Sequence, residues 1–150
     1  MTTKFKKILC PVDFDSNSAA ALNFAARLAH DYRGALHLLH VVKFPFEPSE
    51  QPVEADLPEW RRDARARLEK FAAKYLSDGV KYQASVKRGD PARAILETAR
   101  ALRPDLIVVA THGRTGLRHA FLGSVADHVV RESRVPVLIV RKRGKDEVSK

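Results

Sequence analysis

Apolar residues along this chain follow two rhythms that alternate from one end to the other. Short, nearly continuous apolar runs occupy 7–12, 35–42, 106–110 and 137–140, and a more alternating run occupies 81–87. Runs of that length are strands, and the continuous ones must be covered on both faces. Between them apolar residues return every three or four positions, the period of a helix face. Leu22, Ala25, Ala26 and Ala29 form such a stripe within an expected helix over about 17–32, entered through the turn and capping residues Asp13, Phe14, Asp15 and Ser16 and ended by Gly34. Leu68, Phe71, Ala72, Tyr75 and Leu76 form a second, on a charged helix starting at Leu57 or Pro58 and stopped by Gly79. A third carries Ile95, Leu96, Ala99 and Leu102, with Asp90 as N-cap, Pro91 at the first helical position and Pro104 beyond its end. The last spans 124–133. Residues 43–56 hold three prolines and several acids and read as the longest surface loop, with the position of a lid.

Five strands alternating with four helices require right-handed crossovers and a parallel sheet. The expected fold is a single doubly wound α/β domain over 1–150, strand order 3-2-1-4-5, with helices on both faces and 141–150 as a polar basic tail. In such sheets ligands bind beyond the carboxyl ends of the strands, where the strand order reverses. That order sets strands one and four side by side, so the loops 11–16 and 110–124 face each other across the crevice.

The second of these loops carries the chemistry. Gly113 and Gly123 are separated by nine residues, and Ser124 opens the last helix. Glycines there let backbone amides approach an anion, and a helix start supplies unpaired N–H groups and the positive end of its dipole. The loop therefore reads as a phosphate cradle, against the plainer reading of a strand-to-helix connector.

Composition narrows the class. Hydrophobic residues are 45% and charged residues 30% of the 150, the balance of a globular protein. No apolar run reaches the ~18 residues of a membrane span, and the start leads into a strand instead of a signal-peptide core, so the expected location is the cytoplasm, with no membrane partner. Cys10, the one cysteine, sits among Ile8, Leu9 and Val12 and reads as a small buried hydrophobe. The net charge of +9 is concentrated at the ends, three from the first ten residues and three net from the last ten. Such tails are usually solvated, and no RNA-binding strand or zinc-finger spacing accompanies them, so no specific nucleic-acid partner is expected.

The chain resembles the universal stress protein family, in its nucleotide-binding branch, over nearly its whole length. The resemblance is carried by Ile8-Leu9-Cys10-Pro11-Val12-Asp13, Leu39-His40-Val41-Val42, Gly89-Asp90-Pro91-Ala92 and Val135-Pro136-Val137-Leu138-Ile139-Val140. The ATP-binding members have glycine, two residues, glycine, nine residues, glycine, then Ser or Thr. Here Ala110 stands at the first glycine, followed by Gly113, Gly123 and Ser124. If the first position needs φ > 0, alanine weakens binding; if it needs only a small residue, little is lost. The resemblance implies ATP, with any Mg bound through its phosphates. Pro11, Val12 and Asp13 would line the adenosine side, with Asp13 reaching ribose hydroxyls or a phosphate-bound metal. Val41 would meet adenine through its backbone, with Val109 and Ala110 near the sugar. Gly113, Gly123, Ser124 and Val125 would donate to the phosphates, and Arg114, more than Arg118, would offset their charge. The resemblance also implies a homodimer paired through the fifth strand, Val137–Val140.

Competing chemistries lack their residues. A phosphoacceptor receiver needs an acid after strand four and a lysine after strand five, where Ala110-Thr111 and Val140-Arg141 stand; the P-loop and dinucleotide patterns are absent. Hydrolysis needs a positioned base. His112 and His119 lie near the loop with no carboxylate in sequence proximity to orient them, so no catalytic residue is assigned and any ATPase activity would be weak. The remaining histidines, 30, 37, 40 and 128, lack metal-ligand spacing, and Trp60 reads as a packing residue. Two other readings stay open: a nucleotide-free dimeric interaction module, and nonspecific polyanion binding through the basic tail.

Overall fold

The computed structural model describes residues 4–43, 57–111 and 122–142. The elements run β1 (Lys7–Pro11), α1 (Ser16–Asp31), β2 (Ala35–Val42), α2 (Leu57–Tyr75), β3 (Lys81–Arg88), α3 (Pro91–Leu102), β4 (Leu106–Ala110), α4 (Ser124–Glu132) and β5 (Val137–Val140). The sheet is all parallel, in the order β3-β2-β1-β4-β5. Element bounds follow those read in the sequence to within a residue, except that α2 ends at Tyr75, before Leu76 and the stop expected at Gly79. The loop expected over 43–56 falls outside the described residues beyond Lys43, as does the tail beyond Lys142.

Alternation along the strands divides two apolar cores between the faces of the sheet. Ile8 and Cys10 of β1, Leu36 and Leu38 of β2, and Leu106 and Val108 of β4 pack with Leu22 and Ala25 of α1 and Leu68 and Ala72 of α2. Leu9, Leu39, Ile107 and Val109 turn the other way, onto Ile95 and Ala99 of α3 and Ala126 and Val129 of α4. Alanines on α1 keep that helix close to the sheet. Burial holds the Cys10 thiol protonated, its pKa pushed up to about 12, so it behaves as the buried hydrophobe expected.

Two of the three N-terminal lysines, Lys6 and Lys7, are structural, which corrects the picture of a solvated basic start. Lys6 Nζ donates to the carbonyls of Tyr32 and Arg33 at the end of α1, at 2.6 and 3.3 Å. Lys7 Nζ donates to Leu102 O at the end of α3, at 2.9 Å. Both satisfy orphan carbonyls at the negative ends of helix dipoles. The backbone N–H groups of the same two residues donate to Asp105 Oδ2, at 2.8 and 2.9 Å.

Gly34 ends α1 for a different reason than a helix stop. The left-handed residue there is Arg33, at φ 52°. Gly34 is required because β1's lead-in passes directly over it: a Cβ would collide with the Phe5 carbonyl and come within 3.0 Å of that of Lys6, while Ala35 N–H donates to Lys6 O at 2.9 Å. Gly34→Ala should therefore lower the unfolding free energy by about 1–3 kcal/mol, as overpacking does. Urea denaturation checks this, and an unchanged midpoint would contradict the close approach.

Candidate functional site at the strand crossover

β1 and β4 are neighbours at Ile8↔Leu106 and Leu9↔Ile107, where the recorded ladder between them ends, although both strands continue. β1 instead stays with β2, out to Val12 N–H on Leu39 O at 2.8 Å, and β4 with β5, out to Thr111 N–H on Val140 O at 3.1 Å. The gap between them opens into a cavity of about 400 Å³, within the ~300–1,000 Å³ of small-molecule sites. Its apolar lining includes Leu39, Ile95, Val109 and Ala126, and its charged side chains among the described residues are Asp13, Asp15 and Lys43, with His40 beside them.

Seven of the residues expected at a nucleotide site line this cavity: Pro11, Val12, Asp13, Val41, Val109, Ala110 and Val125. Gly123 and Ser124 stand at the start of α4 and are not among the lining residues. Gly113 and Arg114 lie outside the described residues, as do Arg118, His112 and His119. Ala110 is the last residue of β4, in register with Val140, and is not among the positive-φ residues. The conformational objection to alanine there does not apply.

Three helix N-termini border the cavity, and two are closed by their own carboxylates. Asp15 Oδ1 accepts from Ser18 N–H at 2.7 Å on α1, and Asp90 Oδ2 from Arg93 N–H at 2.9 Å on α3. α4 has Gly123 at its N-cap, with no side-chain cap. Gly123 sits at φ 78° and ψ 154°, a region essentially restricted to glycine. Of the three, the N-terminus of α4 is thus the one without a side-chain cap, and the carboxylate in its first turn, Asp127, pairs with Arg131 at 3.0 Å.

Sequence reading missed the layer behind Asp13. Asp13 N–H donates to Ser18 Oγ at 2.9 Å, and that hydroxyl donates to Asp13 Oδ1 at 2.5 Å. His40 Nδ1 lies 2.7 Å from Val12 O. The available signal was the pair of histidines interrupting an otherwise apolar strand. Phe14 adopts φ 70°, a conformation costing a non-glycine residue about 1–2 kcal/mol. Its ring contacts offset this: His40 at 4.3 Å, Phe71 edge-on at 5.6 Å, and the Arg67 guanidinium at 4.3 Å. Trp60 does not line the cavity.

Burial lowers the pKa of His40, and Arg67 lowers it further, against the opposing Val12 carbonyl and Asp13. His37, bonded to Ser85 Oγ at 2.9 Å, is lowered by burial and then by Lys87 and Lys7. Between these depressed values and the ordinary 6.5, the unfolded chain binds more protons than the folded one. Stability is therefore full above pH 6.5 and falls as the pH drops below it. In urea unfolding, the pair of changes His37→Gln and His40→Asn should flatten the decline between pH 7.5 and 5.5; an equal decline in wild type and variant would remove these rings as its source.

A doubly wound parallel sheet with an apolar cavity at its crossover, edged by one uncapped helix N-terminus, defines an α/β protein with the cleft of that fold at its strand crossover. Comparison with known proteins specifies which. The sequence model of the universal stress protein family matches residues 4–141. Universal stress protein MJ0531 of Methanocaldococcus jannaschii is 33% identical over 148 residues, covering 95% of this chain and 85% of that protein. The solved structure of the hypothetical protein MJ0577 superposes with a TM-score of 0.77 at 28% identity, covering 94% of this chain and 99% of that one. A universal stress protein solved in complex with cAMP shares the fold, with a TM-score of 0.63 at 24% identity over 92% of this chain and 98% of that one. The chain belongs to the universal stress protein family.

Proposed function

We propose that this chain binds an adenine nucleotide, ATP, in the crevice beyond β1 and β4, and acts as a cytoplasmic regulatory protein of one domain with no catalytic residue assigned. The observation that carries the reading is the cavity at the crossover, where Pro11, Val12, Asp13, Val41, Val109 and Ala110 meet beside the uncapped start of α4. Val41 is the next-to-last residue of β2 and lines the cavity; an extended residue there can offer C=O and N–H to the amino group and ring nitrogen of adenine, a pairing guanine does not match. Asp13 and Asp15 suit the sugar side and repel phosphate. The phosphates belong at α4, where Gly123, Ser124 and Val125 offer backbone donors that no side chain caps and the one carboxylate of the first turn, Asp127, is paired with Arg131. Any Mg would ride on the phosphates, since no group of three or more His, Cys, Asp or Glu able to hold a metal occurs among the described residues. The cAMP-bound relative places an adenine nucleotide on another protein of this fold.

Calorimetry with Mg-ATP, Mg-GTP and adenosine tests the reading. ATP should bind and GTP should bind more weakly; absence of ATP binding at millimolar concentration would overturn it. Gly123→Ala should weaken ATP about tenfold, the equivalent of one misplaced charge-assisted contact, while adenosine affinity stays unchanged. Equal loss for both ligands would put the phosphates elsewhere.

A homodimer through β5 is the second part of the proposal, and it also serves the alternative of a nucleotide-free interaction module. β4 donates to Pro136 O and Val140 O, from Ile107 and Thr111. By strand alternation Val137 and Ile139 direct their N–H and C=O to the open side of this edge strand, a ready template for a second copy. Ile139→Pro removes an outward donor and no bond to β4. It should yield a monomer by light scattering with circular dichroism unchanged; a persisting dimer would place the interface elsewhere.

A further inference from the structure

The peptide joining Val12 to Asp13 is held at both of its polar atoms. Its oxygen lies 2.7 Å from His40 Nδ1, and its N–H donates to Ser18 Oγ at 2.9 Å. A carbonyl oxygen only accepts, so Nδ1 carries the proton. The ring also packs against that of Phe14, centroids 4.3 Å apart and tilted by 42°, and Phe14 is in turn covered by Arg67 and Phe71 of α2. A residue that merely filled this place would need the ring alone. Here the ring and the donor are both engaged, and the bond spans from β2 to the residue immediately before Asp13.

We propose that His40 is a positioning residue of the pocket: its Nδ1–H fixes the plane of the Val12–Asp13 peptide and so the direction in which Asp13 enters the crevice. Ser18 completes the clamp from α1, tying the peptide N–H and the Asp13 carboxylate to one hydroxyl. The consequence for ligand affinity rests on the nucleotide reading; the clamp itself is measurable without a nucleotide. Its effect falls on the sugar side, where Asp13 stands, and not at the start of α4.

Two substitutions separate donor from ring. His40→Phe keeps an aromatic ring and removes the donor, whereas His40→Asn loses the ring but places an amide N–H near the position of Nδ1. His40→Phe should weaken ATP and adenosine equally, by about tenfold, and should accelerate hydrogen exchange at the Asp13 amide. His40→Asn should restore both, to within about threefold of wild type. Wild-type affinity in His40→Phe, or no recovery in His40→Asn, would overturn the proposal. Nitrogen NMR of wild-type His40 gives a check independent of any variant's folding: a neutral ring protonated at Nδ1 is expected at pH 7, and protonation at Nε2 alone overturns the clamp. If wild type binds no adenine nucleotide, the reading of the pocket fails, and amide exchange and the His40 tautomer decide the clamp by themselves.

Discussion

β1 is bonded to β2 on one side and β4 on the other and is covered on both faces, and this enclosure governs what happens at each of its ends. Five of its bonding positions go to β2, from Lys7↔Ala35 to Pro11↔Leu39, and two to β4. At its start everything converges: Asp105 collects the N–H groups of Lys6 and Lys7, and the two lysine ammoniums collect the last carbonyls of α1 and α3. Gly34 admits the chain at this crowded end. With the start fixed and the strand committed to β2, separation from β4 can occur only at the far end. The cavity is the geometric result of that unequal pairing.

Most of the architecture was legible because burial on both faces writes itself into continuous apolar strands, and one-sided helices into stripes. The expected order 3-2-1-4-5 set strands one and four side by side and brought Pro11, Val12, Asp13, Val109 and Ala110 to one place before any contact was known. What stayed hidden were bonds between residues distant in sequence. His40 reaches back 28 positions to Val12, and Lys7 forward 95 to Leu102; no local pattern encodes either. Lys6 and Lys7 read as tail charge because a lysine that caps another helix looks the same as a solvated one. Phe14 and Arg33 carry left-handed backbone where a sequence reader expects glycine or asparagine, since tertiary contacts hold them there.

The electrostatics of the crevice run against those of the chain. Net charge is +9, yet the described side chains lining the cavity include two aspartates and one lysine. An anion is drawn to such a protein by its overall field and then excluded from the aspartate side on arrival. Asp15 is moreover occupied, holding the first turn of α1. Among the described residues the two sides of the cavity differ: carboxylates engaged with Ser18 on the β1 side, and the start of α4, without a side-chain cap, on the β4 side.

Ala110 is the one departure from the family's glycine pattern, and its setting decides how much it weighs. The residue has ordinary strand geometry and pairs with Val140, so glycine's access to positive φ has no use here. What remains is one methyl group. Ala110 packs, with Phe14 and Val140, against the core shared by α1 and α2 while also bordering the cavity. A methyl in van der Waals contact with that core adds buried apolar surface to β4. The two positions differ in what their backbones demand. Gly123 answers to backbone conformation, its φ of 78° and ψ of 154° lying where glycine alone is at ease, whereas Ala110 has strand geometry that any residue adopts.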